Sequence, residues 1–182
     1  MKGPLVTLPV RRLAAALVLG AALVTAGCGT TEANRAAVVD GRVISETTVQ
    51  ETMAQLNTME PPLFQEAFTP TYTLTTLLRA PVAIDYLADK GFVASESVAR
   101  QAAAERGIDD PGPGTLEVIR FATAISDASA QGAFGDAENI ELSEALRQQD
   151  VEVNPRYGEF DPDSFAVSVT VPSWVTPFNA AQ

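Results

Sequence analysis

Few residue types in this sequence could perform chemistry, and their counts narrow the function at once. The 182-residue chain contains no histidine and a single cysteine, Cys28. Without histidine it lacks the usual general base near neutral pH, the imidazole of a serine or cysteine catalytic triad and the commonest zinc ligand. These counts exclude triad hydrolysis and most zinc chemistry.

Pairs of carboxylates are the remaining candidates for acid–base work. Asp109/Asp110 and Asp161/Asp163 both flank prolines in polar turns. Aspartate is favoured in such turns because its side chain hydrogen-bonds the nearby backbone. The backbone role therefore explains both pairs without catalysis.

One further pair, Glu141 and Glu144, shares a helical face and could bind a metal weakly, although a solvated face explains it better. The glycines of residues 112–115 lack the spacing of a nucleotide-binding fingerprint. We therefore predict that the protein is not an enzyme and has no catalytic residue, no cofactor-binding residue and no metal site.

Cys28 lies at the end of a segment that has the features of an export signal. Basic residues near the start precede an apolar run at residues 13–24, and the small pair Ala26–Gly27 comes directly before the cysteine. The run is shorter than the roughly 20 residues that cross a membrane. Its flanks are those of a signal peptide, with a plain secretory signal or a short buried helix as the alternatives.

Residues 25–28, Thr-Ala-Gly-Cys, resemble a bacterial lipobox in which Thr25 replaces the usual leucine. The resemblance implies that residues 1–27 are removed and that Cys28 receives acyl chains such as palmitate. Two or more chains, at about 0.8 kcal/mol per buried CH₂, anchor a protein stably. We expect a lipoprotein on the extracytoplasmic face of the bacterial cell membrane.

The charge of the chain after Cys28 is strongly negative. Nine basic and 23 acidic residues follow it, which gives a net charge of −14. Nucleic acid is excluded as a partner, because a phosphate backbone requires clustered lysine and arginine. The lipid on Cys28 must provide the membrane attachment, since anionic headgroups repel such a surface.

The pattern of the first half predicts a hairpin followed by helices. Asp40-Gly41 separates two apolar runs and favours a tight turn. Ser45 is a predicted N-cap for the first helix. A long helix is predicted over residues 71–90, and Pro81 should kink or divide it.

Three more helices and two strands are predicted in the second half. The helices are opened by Ser95 or Ser97, by Thr115 and by Asp136, and residues 109–114 form a break. Val151 to Val153 forms a short strand. Residues 164–171 alternate, which places Phe165, Val167, Val169 and Val171 on one face of a second strand.

Residues 58–70 contain three prolines and several large apolar side chains. Such a segment forms no regular element, so its apolar residues either lie over the core or form a partner-binding lip. With one methionine of the preceding helix, they are the predicted peptide-binding residues: Met53, Met59, Leu63, Phe64 and Phe68. Soft and mobile apolar groups suit varied partners.

Three stretches resemble the SurA N-terminal domain family of periplasmic chaperones and its lipoprotein relatives. They are AVVDGRVISETTVQ, LADKGFVASESVARQAAAERGI and DVEVNPRYGEFD. The positions that match the closing strand of the family are Val151, Val153, Asn154, Pro155, Arg156, Tyr157, Gly158 and Asp161. The resemblance covers Ala36 to about Asp161.

This resemblance implies a mainly α fold, a helical bundle of about five helices with a small β element that pairs the N-terminal and C-terminal strands. The domain division is a signal peptide at 1–27, a lipidated tether at 28–35, the helical domain at 36–171 and a flexible tail at 172–182. The parvulin isomerase domain of many relatives has no room between Leu146 and Val151.

The function expected from the resemblance is chaperone-like holding of unfolded or exported polypeptides without isomerase activity. The alternative is a non-catalytic structural lipoprotein that serves one dedicated partner in the cell envelope. The sequence does not separate these two, and it does not define the oligomeric state.

Overall fold

The computed structural model describes residues 34–169. The elements in chain order are β1 (Arg35–Val39), β2 (Arg42–Ser45), α1 (Glu46–Asn57), α2 (Pro70–Asp89), α3 (Glu96–Ala104), α4 (Pro113–Ala130), α5 (Asp136–Arg147), β3 (Val151–Val153), β4 (Glu159–Asp161) and β5 (Ala166–Ser168). Five helices and short antiparallel strands make up this part of the chain. The predicted mainly α class is confirmed.

The opening and closing strands meet in one small sheet, ordered β2-β1-β3. Asp40 and Gly41 adopt positive φ angles of 47° and 79° and turn β1 into β2. On its other side β1 pairs antiparallel with β3, with Ala37 opposite Val153. The predicted hairpin and the predicted pairing of the N-terminal and C-terminal strands are both confirmed.

Helix α2 lies at the centre of the part of the chain that the structure describes. It contacts α1, α4, α5 and β5 and buries Leu74, Leu77, Leu78 and Leu87 completely or nearly so. Each such side chain contributes about 1.5–3 kcal/mol through removal of apolar surface from water. The helices on either side are thereby positioned by a single buried helix.

Pro81 lies inside α2, which continues through it, so of the two predicted effects, a kink or a division, the division does not occur. A proline removes the backbone N–H that would bond the carbonyl four residues earlier, here that of Leu77. The Nη2 atom of Arg42, on β2, donates to this carbonyl at 3.1 Å. The helix continues because a side chain replaces the missing donor.

Two of the predicted N-caps differ from the observed ones, by three residues for α4 and by one for α5. Ser45 and Ser95 do cap α1 and α3. Helix α4, however, begins at Pro113 with Gly112 as N-cap, and α5 begins at Asp136 with Gly135 as N-cap.

Thr115 has a different role from the predicted cap. It is fully buried, and its hydroxyl bonds the Oε1 atom of Gln55 on α1 at 2.6 Å. The Thr115 hydroxyl therefore bonds a neighbouring helix and does not cap the first turn of its own helix, as was predicted.

The predicted strand over residues 164–171 is only partly right. Residues 159–161 pair with 166–168 as a hairpin. Phe165 lies in the turn between them with a φ of 46°, and Val169 is 69% exposed. Val171 lies outside the described residues. The alternation of apolar and polar side chains predicted β5 but not the turn before it. A bulky residue such as phenylalanine rarely adopts the positive φ angle that Phe165 has in this turn.

Candidate functional site

The proline-rich loop, residues 58–69, connects α1 to α2 and is closed by one side chain. The amide of Asn57 donates to the carbonyl of Phe68 at 2.9 Å and accepts from its N–H at 2.8 Å. Thr69 then caps α2 by accepting from the N–H of Tyr72. Both ends of the loop are thus fixed side by side, as in a compact Ω-loop.

The five predicted peptide-binding residues divide into two groups. Met59 and Phe68 are buried, at 2% and 5% exposure, and belong to the core. Met53, Leu63 and Phe64 are partly buried and pack against it. The loop therefore lies over the core, and these three residues keep part of their apolar surface accessible to solvent.

A row of aromatic side chains runs from the loop into α2. Phe64 meets Phe68 edge to face at 5.2 Å, and Phe68 stacks on Tyr72 at 4.9 Å. Such pairs contribute about 0.5–1.5 kcal/mol beyond the area that they bury. The sequence analysis missed Tyr72 and Asn57, although the spacing of Phe68 and Tyr72 by one helical turn is a usable signal.

A cavity of about 200 Å³ opens beside this row. Leu63, Phe64 and Phe68 line it together with Leu56 and polar loop residues, whereas Met53 does not. The loop carries two acidic residues, Glu60 and Glu66, and no basic one. The site is a depression of mixed apolar and polar lining with a negative edge.

Two of the candidate carboxylates, Asp161 and Glu141, have structural partners. Asp161 accepts from the N–H of Asp163 and, at 2.7 Å, from the hydroxyl of Ser164, and these bonds lower its pKa. Glu141 accepts from the hydroxyl of Tyr86 at 2.7 Å and from Lys90 at 2.9 Å. These two donors lower the pKa of Glu141. The contacts of Lys90 with Tyr86 and with Glu141 raise the pKa of Lys90.

Burial has the opposite effect on Glu117. Its side chain is 23% exposed, and loss of hydration raises its pKa even though Arg42 lies 3.3 Å away. Among residues 34–169, no three histidine, cysteine or acidic side chains are grouped so as to hold a metal ion.

Cys28, the signal segment and the tail at 172–182 lie outside the described residues. Within the described part of the chain, no helix is both long enough and apolar enough to cross a membrane.

Comparisons of this chain with models of protein families, with curated proteins and with solved structures return no match.

Proposed function

We propose that the protein is a lipid-anchored, extracytoplasmic factor that holds unfolded segments of exported polypeptides without acting on them chemically. The observation that carries the proposal is the pair Leu63 and Phe64, which remain partly exposed beside a cavity of about 200 Å³. Its context is the lipobox around Cys28 and the resemblance to SurA N-terminal domains.

The loop suits varied partners for a physical reason. Residues 61–67 form no helix or strand, so Leu63 and Phe64 can shift without breaking a regular hydrogen-bond ladder. Adaptable apolar surfaces of this kind repack around different sequences. Glu60 and Glu66 add a negative edge that favours segments rich in lysine and arginine.

The architecture supports the same function indirectly. The pairing of β1 with β3 brings the two ends of the helical region together, as the resemblance implies. The tether from Cys28 to Arg35 would hold this body within about 25 Å of the membrane. Polypeptides emerging at that surface would meet the loop.

Light scattering of two unrelated unfolding proteins tests the proposal. Residues 29–182, at equimolar and higher ratios, should suppress aggregation of both. The Leu63→Ser/Phe64→Ser variant should lose most of this effect while remaining folded by circular dichroism. Val93→Ser/Val98→Ser, which removes exposed apolar side chains outside the loop, is the matched control and should retain it.

Absence of suppression by the unmodified chain would contradict a general holdase. In that case a crosslinking pull-down that yields one strong band would support the dedicated-partner alternative instead.

A further inference from the structure

Helix α5 packs chiefly on one neighbour, α2, and a cavity lies on another of its sides. Leu142 and Leu146 are the buried residues of α5. The cavity, of about 170 Å³, is lined by these two side chains and by Phe121 and Ile125 of α4. Interiors are normally packed without such space, so the cavity deprives α5 of contacts that would hold it to α4.

Both ends of α5 adjoin segments that form no helix or strand, residues 131–135 and residues 148–150. In the first segment Gly132 has a φ of 67°, which glycine adopts without a steric penalty. Segments of this kind absorb the changes in backbone angle that occur when an element moves. The backbone on either side therefore permits α5 to move as one unit.

A polar cluster, which we call the latch, joins the exposed part of α5 to α2 and consists of Tyr86, Lys90 and Glu141. Glu141 accepts from the Tyr86 hydroxyl at 2.7 Å and from Nζ of Lys90 at 2.9 Å. The same Nζ lies 4.8 Å from the centroid of the Tyr86 ring, within the range of a cation–π contact. The latch thus links α5 to two positions of α2 that are one helical turn apart.

The latch is open to water and salt. The side chain of Glu141 is 57% exposed and that of Lys90 is 35% exposed. Exposed ion pairs contribute little to stability and are screened by salt. A second link, from Nη2 of Arg147 to the carbonyl of Asp163, is long at 3.4 Å. The polar contacts of α5 are therefore of the kind that breaks and reforms readily.

We propose that α5 is a lid that swings away from α2 while the rest of the fold stays intact, and that the latch sets how often it opens. The closed lid buries Leu142 and Leu146, and the open lid exposes them together with the α4 wall of the cavity. Limited apolar packing and exposed hydrogen bonds are the features of segments that open below the free energy of global unfolding. This motion goes beyond the proposed function, which depends on the proline-rich loop.

Thiol labelling measures the opening, because residues 29–182 contain no cysteine. Leu146→Cys places a buried thiol under the lid. Leu77→Cys is the matched control, since Leu77 is equally apolar, is buried and faces Gly114 on α4, away from the lid. With excess N-ethylmaleimide, Leu146→Cys should react at least about tenfold faster, because opening of the lid exposes it without unfolding the core.

Urea denaturation of both variants gives the rate expected from global unfolding alone, since each substitution shortens a buried leucine and lowers stability. Labelling of Leu77→Cys should match that rate, whereas labelling of Leu146→Cys should exceed it. Leu142→Cys, one turn earlier on the same face of α5, replaces Leu146→Cys if that variant is unfolded.

Variants of the latch test its role in the Leu146→Cys background. Glu141→Gln weakens the contacts with Tyr86 and Lys90 and should raise the labelling rate about two- to fivefold at low salt. High salt should raise the rate more in the parent than in the Glu141→Gln variant. Arg100→Met, which breaks an exposed pair with Glu96 on α3, should leave the rate unchanged.

Two outcomes would overturn the proposal. Labelling of both Leu146→Cys and Leu142→Cys at the rate of global unfolding would show that α5 opens only with the whole fold. Equal acceleration by Glu141→Gln and Arg100→Met, or none by Glu141→Gln, would show that the latch does not control the lid.

Discussion

At the scale of single residues, Arg42 connects three parts of the molecule. From β2 it reaches the carbonyl of Leu77 on α2 and the carboxylate of Glu117 on α4. The carbonyl is in need of a donor because Pro81 has none. One guanidinium therefore donates both to the carbonyl that lacks a helix partner and to a half-buried carboxylate.

Arg42→Met should reduce the free energy of unfolding by about 1–3 kcal/mol, because it leaves polar groups unsatisfied. In a Pro81→Ala background the same change should cost less, since the restored N–H bonds the carbonyl of Leu77. Urea denaturation of the four proteins measures this coupling.

Arg100→Met is the matched control, because it breaks only an exposed pair with Glu96 on the same helix. It should cost no more than about 1 kcal/mol. Equal costs of Arg42→Met in the two backgrounds would show that Arg42 does not compensate for the proline.

The predicted attachment to the membrane depends on one residue, Cys28. Cys28→Ala should leave the precursor uncleaved and without acyl chains, because only a thiol can accept the lipid at that position. Metabolic labelling with palmitate and immunoblotting of membrane fractions measure both effects. Normal cleavage with release of soluble protein would contradict the lipobox assignment and favour a plain secretory signal.

At the scale of elements, the close approach of α1 to α4 depends on Gly114. A Cβ built at this position would lie 2.2 Å from Oγ1 of Thr52 and 3.1 Å from Cγ2 of Thr48. Nearby, Gln55 accepts from Gly112 N–H and Thr115. Two helix surfaces thus meet through small and polar groups.

Gly114→Ala should destabilise the protein by about 1–3 kcal/mol through overpacking. The sign of this change in stability is informative, because alanine forms helices better than glycine by about 1 kcal/mol where no clash occurs. Thr52→Ala should recover part of the loss in the double variant, and thermal and urea unfolding provide the measurements.

Gly112→Ala serves as the control, since its nearest neighbour would be 3.6 Å away. Its effect should stay within about 1 kcal/mol. A stabilising effect of Gly114→Ala would mean that the two helices can separate freely at this point.

The elements also show what a sequence can predict. Asp40-Gly41, Ser45 and Ser95 identified a turn and two helix starts correctly, because their chemistry acts on adjacent backbone. The role of Thr115 depends on Gln55, sixty positions away. Phe165 lies in a turn where Arg79, 86 positions away in the sequence, donates to its carbonyl.

The candidate site follows the same rule. The apolar composition of residues 58–69 identified the loop, but only the fold assigns Met59 and Phe68 to the core and leaves Leu63 and Phe64 accessible. The cavity of about 170 Å³ between α2, α4 and α5 could not be predicted, because three helices and a turn, distant in sequence, enclose it.

At the scale of the whole molecule, the described residues form an acidic helical body with a depression beside the proline-rich loop. Its net charge of −14 after Cys28 opposes self-association and favours basic segments. The described surface has few large exposed apolar side chains, such as Val93 and Ile140. Under the proposed function, binding of clients concentrates at the loop.

The most direct test of the central claim is photocrosslinking from the loop. Benzoylphenylalanine at position 64 of residues 29–182 should crosslink two unrelated, permanently unfolded proteins, and excess unlabelled client should compete. The same group at Gln131, an exposed position outside the loop, should crosslink neither. Equal crosslinking from both positions, or none from position 64, would contradict the account.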